Sequence, residues 1–210
     1  MSEIKIRELH HKEALNSARP APHSRLSLLR GLMALITVLA LHGVRSIEAE
    51  SSKPNEYEVK AAYLYNFGRF VKWPSRNGAP QPESFNICVV GQDHFGAALN
   101  NLADETIAGK SVVVTRLQTS KDATNCRILY ISASEENQLK QILRALEGSS
   151  VLTVSDMPQF SQRGGMVQFV LDGSRVRFEI NLSSADHAGL TLSSELLKLA
   201  VNVRKSLAGD

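Results

Sequence analysis

The chain has 210 residues, a formal net charge of +3 and 6% aromatic residues. From Ser51 onward, 17 Lys and Arg face 16 Asp and Glu, so the basic excess sits mostly in the first fifty residues. That balance gives no basic stripe of the kind nucleic-acid binding needs.

Residues 1–24 are polar and charged. Arg25 and Arg30 precede an uncharged apolar run, Gly31–Val44, with the length of a secretory h-region and too short to span a bilayer. Ala49 is the expected cleavage position, with Ser46 as a second candidate. Residues 1–49 therefore read as an N-terminal extension and signal peptide, with the mature protein exported. An uncleaved anchor is the alternative, opposed by the short run and its interior His42. In an exported chain two cysteines, Cys88 and Cys126, favour a disulfide over two buried thiols.

Residues 55–207 suit one domain. Asn55 is a candidate cap for a helix to about Val71, with Val59, Tyr63, Phe67 and Phe70 as its apolar stripe. The Trp73-Pro74 step ends it. Phe85–Val90 reads as a buried strand, 93–102 as a short helix, and 110–117 and 127–131 as strands. Ser134 is expected to cap a helix carrying Leu139, Ile142, Leu143 and Leu146, stopped by Gly148. Residues 151–154 form a further strand. This order predicts a mostly parallel sheet with helices on both faces. Residues 166–171 and 175–182 then form a C-terminal antiparallel hairpin around Asp172-Gly173. Ser193 or Ser194 opens a last helix with Leu196, Leu197, Ala200 and Val203 facing inward.

No stretch carries the spacing of a nucleophile-base pair or a metal site. Residues 91–96, a glycine-bounded turn after a strand, lack the phosphate-loop spacing, and a structural turn is the better reading. His94 and His187 have no ligand partner three or four residues away. Phe160 sits in a polar loop, either as a core plug or as an exposed anchor for a partner. The candidate ligand-binding residues are Asn66, Arg69 and His187; Arg69 suits an anionic ligand or a partner carboxylate.

The segment Lys60-Ala-Ala-Tyr-Leu-Tyr-Asn-Phe-Gly-Arg-Phe-Val-Lys-Trp-Pro74 resembles the opening signature of the YfiR-like family. Phe85–Gly91, Val151–Asp156, Gly164-Gly165-Met166 and Val176–Ala200 resemble its later blocks. The resemblance implies a Rossmann-like three-layer α/β sandwich, often a homodimer, in the periplasm. It implies no cofactor and no enzymatic activity. It implies a regulator that binds the periplasmic sensor part of an inner-membrane diguanylate cyclase, keeping it inactive and limiting cyclic-di-GMP and biofilm. Reducing stress, or capture by an outer-membrane lipoprotein, relieves that repression in the family. Some members carry a second cysteine pair; here only Cys88 and Cys126 are present, matching the family's structural pair. Phe160 and the hairpin are the expected partner surface. The alternative is a periplasmic small-ligand sensing domain, for a nucleotide or amino acid, serving another receptor.

Overall fold

The structure, a computed structural model, describes residues 55–75 and 83–205. The expected leader and its cleavage positions lie outside the described residues. Five α-helices are described: α1 (Glu56–Phe70), α2 (Ala97–Asn100), α3 (Leu139–Ala145), α4 (Leu182–His187) and α5 (Ser194–Leu199). The strands are β1 (Val71–Lys72), β2 (Ser84–Val90), β3 (Thr106–Ile107), β4 (Lys110–Leu117), β5 (Ile128–Ile131), β6 (Leu152–Ser155), β7 (Val167–Asp172), β8 (Arg175–Asn181), β9 (Thr191–Leu192) and β10 (Asn202–Arg204).

Eight strands make one sheet in the order β10-β8-β7-β6-β5-β2-β4-β3. The pairs β4–β2, β2–β5, β5–β6 and β6–β7 are parallel. The expected hairpin is β7–β8, antiparallel from Val167 opposite Ile180 to Asp172 opposite Arg175. The mostly parallel sheet is as expected, but the expected Rossmann-like three-layer sandwich is corrected: the sheet curls into a half-barrel. Strand-to-strand twist accumulates across eight strands, which favours such curling.

Residue alternation loads both faces of the central strands. Ile87, Val89, Ile128, Tyr130, Leu152 and Val154 join Leu64 and Phe67 of α1 in one core cluster. Cys88, Val90, Leu129 and Ile131 join Leu139 and Ile142 of α3 in the other. Strands buried on both faces have no polar alternation, which is why they read as continuous apolar runs.

Several boundaries differ from the sequence expectation. Helix α1 begins in a capping box: the Asn55 side chain accepts the Glu58 N–H at 2.9 Å, and the Asn55 N–H donates to Glu58 at 3.0 Å. It stops at Phe70, because Val71 turns extended and pairs with Leu192. Its buried face is Lys60, Ala61, Leu64, Phe67 and Gly68, whereas Val59, Tyr63 and Phe70 are half-buried. Gly68 permits a close approach, since a Cβ there would lie 2.6 Å from Ile107. Ser134 caps no helix; its hydroxyl accepts the Gln92 N–H at 2.9 Å and ties down the glycine turn after β2. Asp93 in that turn pairs with Arg116 of β4 at 2.9 Å. The last helix ends at Leu199, because Ala200 is extended and the Val201 N–H donates to Phe178 at 2.9 Å. Val203, expected on that helix, lies in β10 parallel to β8 opposite Ile180.

The Phe160 expectation also needs correction. Its side chain is 0% exposed and packs with Cys88, Val90 and Met157, so it is a core plug and not a surface anchor. The loop is polar yet folds inward, because its polar groups find partners. Ser161 donates its N–H to Gln168 at 3.1 Å, and its carbonyl accepts from Asn181 at 2.8 Å. The Ser155 hydroxyl accepts the Met157 N–H at 3.0 Å. Gly165 is required here, since any Cβ would overlap the Phe160 ring.

Cys88 in β2 and Cys126 before β5 form a disulfide with Cα atoms 6.0 Å apart. The bridge spans 38 residues. Replacing both with serine should cost about 4 kcal/mol, the loop-entropy figure for that span, read as a lowered urea midpoint with the slope preserved or raised. Phe160→Ala should cost about 3–5 kcal/mol, the range for deleting a buried aromatic. A melting temperature equal to wild type would contradict the buried plug.

Candidate functional site

The cluster of charge that the fold takes furthest from water lies where α1 crosses the C-terminal end of β6. Lys60 occupies the same helical phase as Leu64 and Phe67, so its stem enters the core with them. Its side chain is 2% exposed. The ammonium reaches Asp156, directly after β6, at 2.6 Å and Glu56, one turn earlier on α1, at 2.5 Å. It also lies 4.4 Å from the Tyr57 ring centroid, a cation–π distance. The Tyr57 hydroxyl donates to the same Asp156 oxygen, Oδ2, at 3.3 Å. Phe95 meets Tyr57 edge-on at 5.2 Å and Tyr130 of β5 at 4.7 Å, closing the apolar wall. His94 stands 5.4 Å from Tyr57, ring to ring.

Burial alone would neutralise these groups, and their pairing outweighs it. Burial pushes the Asp156 carboxyl up, but the hydrogen bond and charge of Lys60, with the Tyr130 hydroxyl, hold it below the usual carboxylate range. Burial pushes the Lys60 ammonium down, but its bonds to Asp156 and Glu56 raise it above an ordinary lysine. Burial and then the Asp156 charge raise both Tyr57 and Tyr130. Lysine therefore stays an ammonium and aspartate a carboxylate at neutral pH. Neither is poised near pH 7 for proton transfer, which is what general acid–base work requires. The arrangement locks α1 to the sheet. Beside it opens a pocket of about 330 Å³ lined by Glu56, Lys60, Asp156, Pro158, Phe169 and Leu171.

The sequence-derived candidates fall elsewhere and are not brought together. The Asn66 side chain donates to the Ala62 carbonyl of its own helix at 2.9 Å. Arg69 is exposed, 5.9 Å from the Tyr65 ring, and lines a pocket with Trp73 and Arg127. His187 is exposed at the end of α4, 2.7 Å from the Ser183 carbonyl, and lines a different pocket of about 440 Å³ with Arg163 and Met166. Phe160 is buried in the core. Among the described residues, no group of three His, Cys, Asp or Glu is placed to hold a metal ion, and no helix is long and apolar enough to cross a membrane. Sequence reasoning missed Lys60. The available signal was its phase: a lysine four and seven residues before Leu64 and Phe67 shares their buried stripe and demands an acidic partner.

The charged state of this pair sets a pH dependence. Asp156 is depressed, so its contribution is full above the unfolded value of about 3.9 and is lost as pH falls through the lower folded value. Lys60 is raised, so its contribution is full below about 10.4 and is lost as pH rises through the higher folded value. Asp156→Asn should cost about 3 kcal/mol near neutral pH, because it leaves a buried ammonium short of a counter-charge. The gap to wild type should shrink as pH falls below about 4. Denaturation midpoints measured across the acid range check this; a gap independent of pH would contradict a charged pair.

A solved structure described as a conserved domain protein from Vibrio cholerae O1 biovar El Tor str. N16961 is 14% identical and superimposes with a TM-score of 0.49. The match covers 73% of this chain and 62% of that one, so the chain spans less than two thirds of its length. The ABC domain in complex with L-Trp from Streptococcus pneumoniae is 12% identical, with a TM-score of 0.42, over 57% of this chain and 55% of that one. The model of the DUF4154 family, described as YfiR/HmsC-like, matches residues 57–201, from the first turn of α1 to the residue before β10. The chain belongs to the YfiR/HmsC-like family.

Proposed function

We propose that this chain is a periplasmic regulator that binds the sensor part of an inner-membrane diguanylate cyclase and holds it inactive, limiting cyclic-di-GMP and biofilm. The observation that carries the reading is membership of the YfiR/HmsC-like family over residues 57–201. That membership supports a regulatory role in cyclic-di-GMP signalling in general terms; the inhibitory contact with a cyclase is the proposed part. The chemistry of the Lys60–Asp156 cluster agrees with it, since the charges satisfy one another and leave no base poised for turnover. The protein is exported by its leader, acts without a cofactor and without nucleic acid, and assembles as a homodimer. An outer-membrane lipoprotein that captures it would relieve repression.

With Phe160 buried, the contact surface shifts to the tip of the β7–β8 hairpin. Leu171 there is 59% exposed and borders the pocket beside Lys60. A large exposed apolar side chain next to a polar rim suits an interface anchor.

Deletion of the gene should raise cyclic-di-GMP and biofilm, and the wild-type gene should reverse both. Unchanged cyclic-di-GMP removes the regulatory reading. Leu171→Glu should keep the wild-type melting temperature and lose roughly thirtyfold in affinity for the cyclase sensor part, the factor equivalent to about 2 kcal/mol at an anchor. Full repression by Leu171→Glu would move the contact away from the hairpin.

A further inference from the structure

The pocket beside Trp73 lies apart from the Lys60–Asp156 cluster, and nothing in the regulatory reading uses it. Its volume is about 600 Å³. Arg69 comes from the last turn of α1, Lys72 from β1, Lys110 from the start of β4, and Arg127 from the approach to β5. Four cations thus converge from four parts of the chain. Among the described residues that line the pocket there is no Asp or Glu. Arg69, Lys72 and Lys110 form no ion pair with any described residue.

The indole of Trp73 forms part of the wall. The Trp73 Nε1 is buried, and it has no hydrogen-bond partner among the described residues. A buried N–H without an acceptor is costly, and such groups are uncommon in folded proteins. The ring is held rather than free to turn away. It meets Phe85 edge-on at 5.2 Å, and the Arg127 guanidinium lies 5.9 Å from it. The pocket therefore offers several positive charges beside an apolar wall from Val71, Phe85 and Ile107. The like charges of Arg69, Lys72 and Lys110 repel, and an anion relieves that repulsion while accepting hydrogen bonds from them.

We propose that this pocket binds a small organic anion, its carboxylate or phosphate head held by Arg69 and Lys110 and its body against the apolar wall. The reading rests on the geometry of the pocket and does not depend on the cyclase. Carboxylate and phosphate share the required chemistry, namely a compact anionic acceptor, and the experiment separates them.

Trp73 is the single tryptophan of the chain, so intrinsic fluorescence of the full-length protein reports on this pocket directly. Benzoate and phenyl phosphate serve as the two anionic probes, with benzyl alcohol as the uncharged control. One or both anions should change the emission saturably at low ionic strength, and benzyl alcohol should not. Added salt should weaken the response, because the charges sit at an open site. Arg69→Met and Lys110→Met should each weaken binding roughly tenfold, the loss expected for one charge-assisted contact. Arg69 is exposed, so its variant should fold, and a thermal melt verifies this for both. Absence of a saturable response to either anion up to about 10 mM overturns the proposal. So does an equal response to benzyl alcohol, or unchanged affinity in folded Arg69→Met and Lys110→Met proteins. The readout does not pass through cyclic-di-GMP, so its failure and that of the regulatory reading are separately visible.

Discussion

The burial of one ammonium group organises this molecule. Lys60 brings a charge into the interface between α1 and the sheet, and a buried charge is tolerated only with close counter-charges. Glu56 supplies one from the same helix, and Asp156 supplies the other from the end of β6. The second contact joins residues 96 apart in sequence. It fixes both the rotation of α1 about its axis and its position along the strands. A rotation that freed Lys60 would also withdraw Leu64 and Phe67, which share its phase, from the aromatic cluster with Phe169 and Phe178.

The opposite face of the sheet is secured by different means. There the Cys88–Cys126 bridge links the central strand to the approach of its neighbour, and Phe160 fills the space beside it. The loop that carries Phe160 contributes few apolar side chains of its own. It is held by a sequence of side-chain to backbone bonds through Ser155, Ser161 and Asn181, and by a glycine that leaves room for the ring. One face thus depends on a buried ion pair and the other on a covalent bridge with a polar-stapled plug. The ion pair lies at the C-terminal end of β6, whereas the bridge lies before the N-terminal end of β5.

The charges at the sheet's end neutralise one another, and the glycine turn after β2 is occupied by Ser134 and by the Asp93–Arg116 pair. Two exposed features lie at the periphery: the hairpin tip with Leu171 and the basic mouth beside Trp73. These two features lie on different elements. A partner contact at one and an anion at the other can therefore coexist in a single domain.

Much of the fold was legible in the sequence because it rests on local patterns. The Asn55 cap with Glu58, the apolar runs at 85–90 and 127–131, the Asp172-Gly173 turn and the parallel order of the central strands each follow from residues near one another in the chain. The pairing of Cys88 with Cys126 followed from an even count in a chain read as exported. Tertiary structure alone decided the rest. It chose the side of α1 that faces inward, because partners for Lys60 arrive from β6. It buried Phe160, because acceptors and donors for its polar loop lie on β6, β7 and β8. It ended the last helix early, because β8 offers Val201 a backbone acceptor at its edge. It also separated Arg69 from His187, which local spacing could not place relative to each other. In each case the deciding partner is distant in sequence, and composition or periodicity carries no record of which distant groups will meet.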